Sequence, residues 1–232
     1  MSTKIFLYTQ KTIGIYHERR YYTIMVDIKY YTKLFFNEET GKERYGLIQK
    51  EAENFSKNNS IEKCWEVAKE CYKCELYYIQ AFGVYIMGLI SHKNKLAYDF
   101  LKNDVSKNTS WQVQEFLAMA FDNYCKNSGY EKSLKIIKEW LNNKNENNRR
   151  AVTEGLRIWI KRPYFKDFPE EAIKILSSHK TDESEYVRKS VGNALKDISK
   201  TYPELIKKEL KNWKLETKEI NQVYKLANKI IG

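Results

Sequence analysis

The sequence predicts an all-α protein: a curved, right-handed α-solenoid of stacked helical pairs with a basic concave face. Three observations predict it. Only three prolines and nine glycines occur in 232 residues, so little interrupts helix formation. From Asp27 onward, apolar residues recur at helical spacing, beginning with Ile28, Tyr31, Leu34 and Phe35. Arg149-Arg150-Ala151-Val152 is echoed by Arg188-Lys189-Ser190-Val191, and this spacing of 39 residues (188 − 149) suits a repeating helical pair.

Taken in order, residues 1–24 are rich in Tyr, Thr and Arg and show no clear period. They read as an extension that is either disordered in solution or paired with a neighbour, and 25–232 read as one domain. Residues 27–39 form the first helix, Gly41 breaks the pattern, and 42–56 resume it with Leu47, Ile48, Ala52 and Phe55 inward. Asn58-Asn59-Ser60 marks a loop, with Ser60 as the N-cap of 61–74. Residues 76–91 are apolar nearly all round, which places that helix in the interior. Then come 94–102, 110–126 behind the cap signal Thr109-Ser110, 130–142, 148–162, 168–178, 184–201, 203–213 and 216–230. Every second helix should line the concave side, namely 76–91, 110–126, 148–162 and 184–201.

Charge narrows the partners. With 41 Lys and Arg against 30 Asp and Glu, the formal charge is +11 and the pI is near 9.2. That excess favours a polyanion, either nucleic acid or an anionic membrane surface. No run of about 18 apolar residues exists, and the N-terminus is too polar for a secretory signal, so a cytoplasmic location is expected. Cys71 and Cys74 have CxxC spacing but lie inside a helix, and neither Cys64 nor Cys125 is placed to complete a zinc site. His17, His92 and His179 are scattered. No metal or cofactor is expected, and no obligate protein partner; the chain should be a monomer. Trp65, Trp140 and Trp213 read as core.

The segment from Asn148 to Phe168 concentrates the candidate chemistry. Arg150, Glu154, Arg157 and Lys161 step by four, three and four residues, which sets them on one helix face beside Arg149. Ala151, Val152, Leu156 and Trp159 lie mostly to the other side, and Pro163 should end the helix. A solvated face tied by a Glu–Arg pair is the plain alternative. Two cations flanking Glu154 exceed what one carboxylate needs, which argues for a ligand.

The stretch from Trp111 to Trp213 resembles the DNA alkylation repair glycosylases of the AlkC/AlkD superfamily, built from HEAT-like repeats. The residues that carry the resemblance are Trp111 with Glu115, the run RRAVTEGLRIWIKRPYF from Arg149 to Phe165, and SEYVRKSVGNALKDISKTYPEL from Ser184 to Leu205. The AlkD branch sets a tryptophan pair, an aspartate and an arginine around the lesion. Trp111 and Arg150 would fill two of those places, whereas Asn193 stands at the second aromatic position and Glu115 replaces the aspartate. The AlkC branch fits better, and there the resemblance implies carboxylates at Glu115, Glu154 and Asp197 with Arg150 and Trp159 nearby. It also implies excision of N3- and N7-alkylated bases such as 3-methyladenine from duplex DNA.

Such bases are cationic, so the leaving group needs no proton. The enzyme must stabilise an oxocarbenium-like sugar and position water, which carboxylates can do. Asp197 would lie nearest the sugar or water, with Glu154 its partner and Glu115 the third acid. Arg150, Arg157 and Arg188 would hold phosphates, and Arg149, Lys161 and Lys189 count with them as DNA-binding residues. Trp111 and Trp159 would stack against sugar or base edges, and Asn193 is a further DNA-binding candidate. The duller readings are ion pairing of Asp197 with Lys196, Lys200 or Arg188, core packing for Trp159, and first-turn packing for Trp111. Two other functions stay open: a DNA-binding relative without catalysis, and a protein-binding solenoid.

Overall fold

Short polar side chains mark where helices begin. Asp27, Ser60, Asn94, Ser110, Ser184 and Thr217 each accept a hydrogen bond from the backbone N–H three residues on, satisfying a donor that the first turn leaves open. All three prolines sit at the first helical position, where a missing N–H costs nothing.

The computed structural model describes residues 26–232, the side chains of Ile158 and Trp159 excepted. The extension expected at 1–24 and the domain start at Met25 lie outside the described residues. The chain opens with α1 (Ile28–Phe35) and a short antiparallel hairpin, β1 (Phe36–Asn37) with β2 (Lys42–Glu43). Gly41 turns that hairpin at φ 63°, a conformation an L side chain resists. Then follow α2 (Tyr45–Lys57), α3 (Ile61–Tyr72), α4 (Tyr77–Ile90), α5 (Lys95–Asn103) and a 3-10 turn at Val105–Lys107. The remainder is α6 (Trp111–Ser128), α7 (Leu134–Leu141), α8 (Glu146–Trp159), α9 (Pro163–Asp167), α10 (Pro169–Ser177), α11 (Glu185–Ser199), α12 (Pro203–Lys211) and α13 (Lys218–Ala227).

The architecture is an all-α stack of HEAT-like helical pairs. Helices α4, α6, α8, α11 and α13 pack on one another in succession as an inner row, and α3, α5, α7, α10 and α12 lie behind. The four helices expected to line one side are thus neighbours, and α13 extends their row. Helix α4 is buried on nearly every side, from Tyr78 to Met87 without a break except Gln80. Its Gly88 lies so close to α6 that a Cβ there would clash with the Cα of Ala120, so any side chain would push the two helices apart. Trp140 and Trp213 are buried, and Trp65 packs against the core edge-on to Phe100. Cys64, Cys71 and Cys125 are buried, and Cys74 is half-buried. No helix among the described residues is long and apolar enough to cross a membrane.

One expected helix ends early, and an unexpected short one follows it. Residues 148–162 were read as continuous, but α8 ends at Trp159, the chain turns through Ile160-Lys161, and Pro163 opens the five-residue α9. Lys161 therefore leaves the helix face on which its spacing had placed it.

A candidate nucleic-acid interface on the inner helix row

The inner helices run parallel, which brings their N-terminal halves to one edge. Ser184, the cap of α11, hydrogen-bonds Glu146 at the start of α8. Arg150, in the second turn of α8, reaches Glu115 on α6.

From this edge an alternating ladder of acids and bases crosses three helices. Arg150 pairs with Glu115 and lies 3.7 Å from Glu154 Oε1. Arg157 Nη1 donates to Glu154 Oε2 at 2.9 Å, and its Nη2 and Nε donate to Asp197 Oδ2 at 2.6 and 3.0 Å. Lys200 closes the ladder 2.8 Å from Asp197 Oδ1. Beneath it lies a neutral support: Ser190 donates to Glu154 Oε1 at 2.6 Å and meets Thr153 Oγ1 at 2.7 Å, both hydroxyls being buried. Burial works against ionisation of Asp197, but hydrogen bonds from Lys200 and Arg157 outweigh it and hold the carboxyl below the usual aspartate value.

Two aromatic side chains stand at the N-terminal edge. Trp111 heads α6 and is 60% exposed, so it is not a packed first-turn residue. Tyr186 heads α11, lies with its ring 4.5 Å from the Arg150 guanidinium carbon, and keeps 39% of its surface open. Sequence reading passed over Tyr186 and set Asn193 at the second aromatic position. In the fold, Asn193 is half-buried and accepts a 3.0 Å hydrogen bond from Lys196, one turn on.

The DNA-binding expectation needs correcting at Arg149. That side chain is buried and its donors are spent internally, on Asp182 at 2.7 and 2.8 Å and on the carbonyls of Asn143 and Lys144 at 2.8 and 3.0 Å. Arg188 is held in the same way: its Nη1 donates to the carbonyls of Asp182 and Glu183 at 2.6 and 3.0 Å, and its Nε to Gln222 at 2.9 Å. Each carbonyl pair lies five and six residues before its arginine, so the 39-residue echo is a repeated staple that ties a helix start to the preceding loop. Lys189 is exposed and pairs with Glu185 at 2.7 Å. Lys161 is exposed, in the turn beyond α8. The side chain of Trp159 lies outside the described residues.

The same repeat held a signal left unread. Glu115, Glu154 and Asn193 are successive members of one 39-residue column, as are Trp111, Arg150 and Lys189. Also unread was Arg162, whose Nη2 lies 2.7 Å from Asp122 Oδ2 and anchors the start of α9 to α6.

The pattern of the DNA alkylation repair enzyme family matches residues 40–224. This chain belongs to that family. It is similar to AlkD2 from Streptococcus mutans, with 49% identity and a TM-score of 0.81 over 88% of this chain and 98% of that one. It is also 51% identical to smu.31 from Streptococcus mutans UA159, with a TM-score of 0.77 over 81% and 93% of the two chains. Alkylpurine DNA glycosylase AlkC from Pseudomonas fluorescens, bound to DNA containing an abasic site analog, shares the fold, with a TM-score of 0.63 at 20% identity over 88% of this chain and 56% of that one. Among curated proteins it is 44% identical over 87 residues to the uncharacterized protein YhaZ of Bacillus subtilis (strain 168). That match spans 36% of this chain and 24% of YhaZ.

Proposed function

We propose that this repair-family chain binds duplex DNA across the inner row and acts as a DNA glycosylase on cationic N3- and N7-alkylated bases. The observation that carries the reading is the meeting of Glu154 and Asp197 on the single guanidinium of Arg157, which sets acids from neighbouring helices on one face. A cationic base departs without protonation, so the work left is to stabilise the positive sugar and place a water. Asp197 takes the position nearest the sugar, Glu154 supports it, and Glu115 holds Arg150. In the free protein Arg157 and Lys200 offset the carboxylate charge. A DNA phosphate that draws either cation toward itself leaves the acids less neutralised where the sugar cation forms. Trp111 and Tyr186 would then flank the damaged nucleotide.

A second reading is DNA binding without excision. The observation favouring it is that Glu115, Glu154 and Asp197 are each already engaged by a cation.

Base release from methylated duplex DNA separates the two, comparing the wild type with Asp197→Asn and Glu154→Gln. Release of 3-methyladenine or 7-methylguanine that falls in both variants supports the glycosylase. Tight binding with no release leaves the second reading, and weak binding at low salt leaves only a protein-binding solenoid.

A further inference from the structure

Glu115 and Glu154 occupy the same place in successive repeats (154 − 115 = 39), yet the protein holds them differently. Glu115 is gripped by the Arg150 guanidinium. Glu154 takes a 2.6 Å hydrogen bond on Oε1 from a neutral group, the hydroxyl of Ser190 on α11. One repeat before Ser190 (190 − 39 = 151) stands Ala151 on α8, which has no hydroxyl to give. One repeat before Thr153 (153 − 39 = 114) stands Gln114 on α6, whose Nε2 donates to the carbonyls of Val105 and Asn108 at 3.0 and 2.7 Å. The hydroxyl pair therefore belongs to the seam between α8 and α11 and is not carried by the repeat itself.

The direction of the bonds follows from counting protons. An ionised carboxylate only accepts, so the single Ser190 hydroxyl proton lies on Glu154. The 2.7 Å contact between the two buried hydroxyls must then be filled by the Thr153 proton. Thr153 thus aims Ser190, and Ser190 holds Oε1. Arg150 Nη2 waits 3.7 Å from that same oxygen, beyond hydrogen-bonding distance. Without the serine, Oε1 is free to close on Arg150, and the carboxylate turns away from Arg157 and so from Asp197. A hydroxyl also brings no net charge. It fixes Glu154 without cancelling the negative charge that a sugar cation requires.

We propose that Ser190, aimed by Thr153, is a positioning residue for base release: it keeps Glu154 aligned with Asp197 and leaves its charge in place. The proposal rests on the glycosylase reading above. It separates the two repeat-related acids, with Glu154 working beside Asp197 and Glu115 serving to hold Arg150.

The test is base release from methylated duplex DNA by the full chain, with duplex affinity measured alongside. Ser190→Ala should lower kcat about tenfold and leave KM and duplex affinity unchanged, because the serine acts on the chemical step and touches no DNA. Thr153→Val keeps the shape of the side chain, deletes its hydroxyl and should lower kcat about threefold. Thr153→Ser, which keeps the hydroxyl, should restore that loss. In the Glu154→Gln background Ser190→Ala should have no further effect, since it acts only through that acid. Full kcat in Ser190→Ala, equal losses in the two Thr153 variants, or losses from Ser190→Ala and Glu154→Gln that multiply would overturn the positioning role and leave the glycosylase reading standing. Should Ser190→Ala fail to fold, the contrast between the two Thr153 variants decides. A wild type that binds the duplex and releases no base overturns both.

Discussion

The guanidinium of Arg157 lies 2.6 Å from the carboxylate of Asp197 across the seam between α8 and α11. Because the same guanidinium also holds Glu154, one side chain fixes the spacing of the two acids and joins neighbouring repeats. Removing it leaves Asp197 only Lys200, and leaves Glu154 Ser190 and the more distant Arg150. Arg157→Met keeps the stem of the side chain and deletes its charge, so it should destabilise the fold by about 1–2 kcal/mol in urea denaturation, the range for hydrogen bonds to charged groups that are partly exposed. Loss of several kcal/mol more would mean that the ladder is far drier than its geometry indicates.

The same pair sets an acid limit. The folded-state pKa of Asp197 is depressed against burial by Lys200 and Arg157, so the group favours folding above its unfolded value of about 4. That contribution disappears as the pH falls from there through the lower folded value, where the native carboxylate takes up its proton. Stability of the wild type should therefore drop more steeply below about pH 4 than that of Asp197→Asn, which has no such proton to bind. Parallel curves for the two proteins in thermal melts across that range would show that Asp197 is not coupled to its cations.

Arg149 and Arg188 repeat one staple, yet their burial differs and so should their weight. Arg149 is buried and bidentate to Asp182, whose side chain is buried as well, so Arg149→Met strands a carboxylate and two loop carbonyls. It should cost about 3–5 kcal/mol. Arg188→Met loses the same two-carbonyl hold at a half-exposed site and no buried carboxylate partner, and should cost about 1–2 kcal/mol. Denaturant midpoints at constant slope decide this, and equal losses would refute the ranking.

How much of this was legible follows from what each residue's role depends on. The inner row was readable because apolar period and cap residues are local: Ser60 and Ser110 announce helix starts within a turn of where they act. The split between α8 and α9 was half legible. Pro163 ends a helix from any sequence, but that it also opens the next one depends on Arg162 reaching Asp122, 40 residues away, at 2.7 Å. Arg149 was misplaced for the same reason, since a double arginine reads as surface charge until Asp182 is seen beside it. Tyr186 was hidden differently. An aromatic at the first turn of a helix has no period to betray it, and only the approach of α8 shows that it covers Arg150. The acids were placed on adjacent helices correctly, but their neutralisation by Arg157 and Lys200 is a matter of side-chain reach that spacing alone leaves open.

Trp111 offers the cleanest separation of binding from folding. Its ring is 60% exposed, and the helix start it follows is capped by Ser110 rather than by anything the indole does. Trp111→Ala should therefore leave stability within about 0.5 kcal/mol of the wild type. If the ring stacks on a nucleotide, the same substitution should weaken duplex binding by about 1–3 kcal/mol, roughly 5- to 150-fold. The slope of log affinity against log salt should stay the same, because the indole neutralises no phosphate. Fluorescence anisotropy across a salt series measures both quantities at once. Unchanged affinity would remove Trp111 from the interface, and a changed slope would mean that its loss repositions the cations around it.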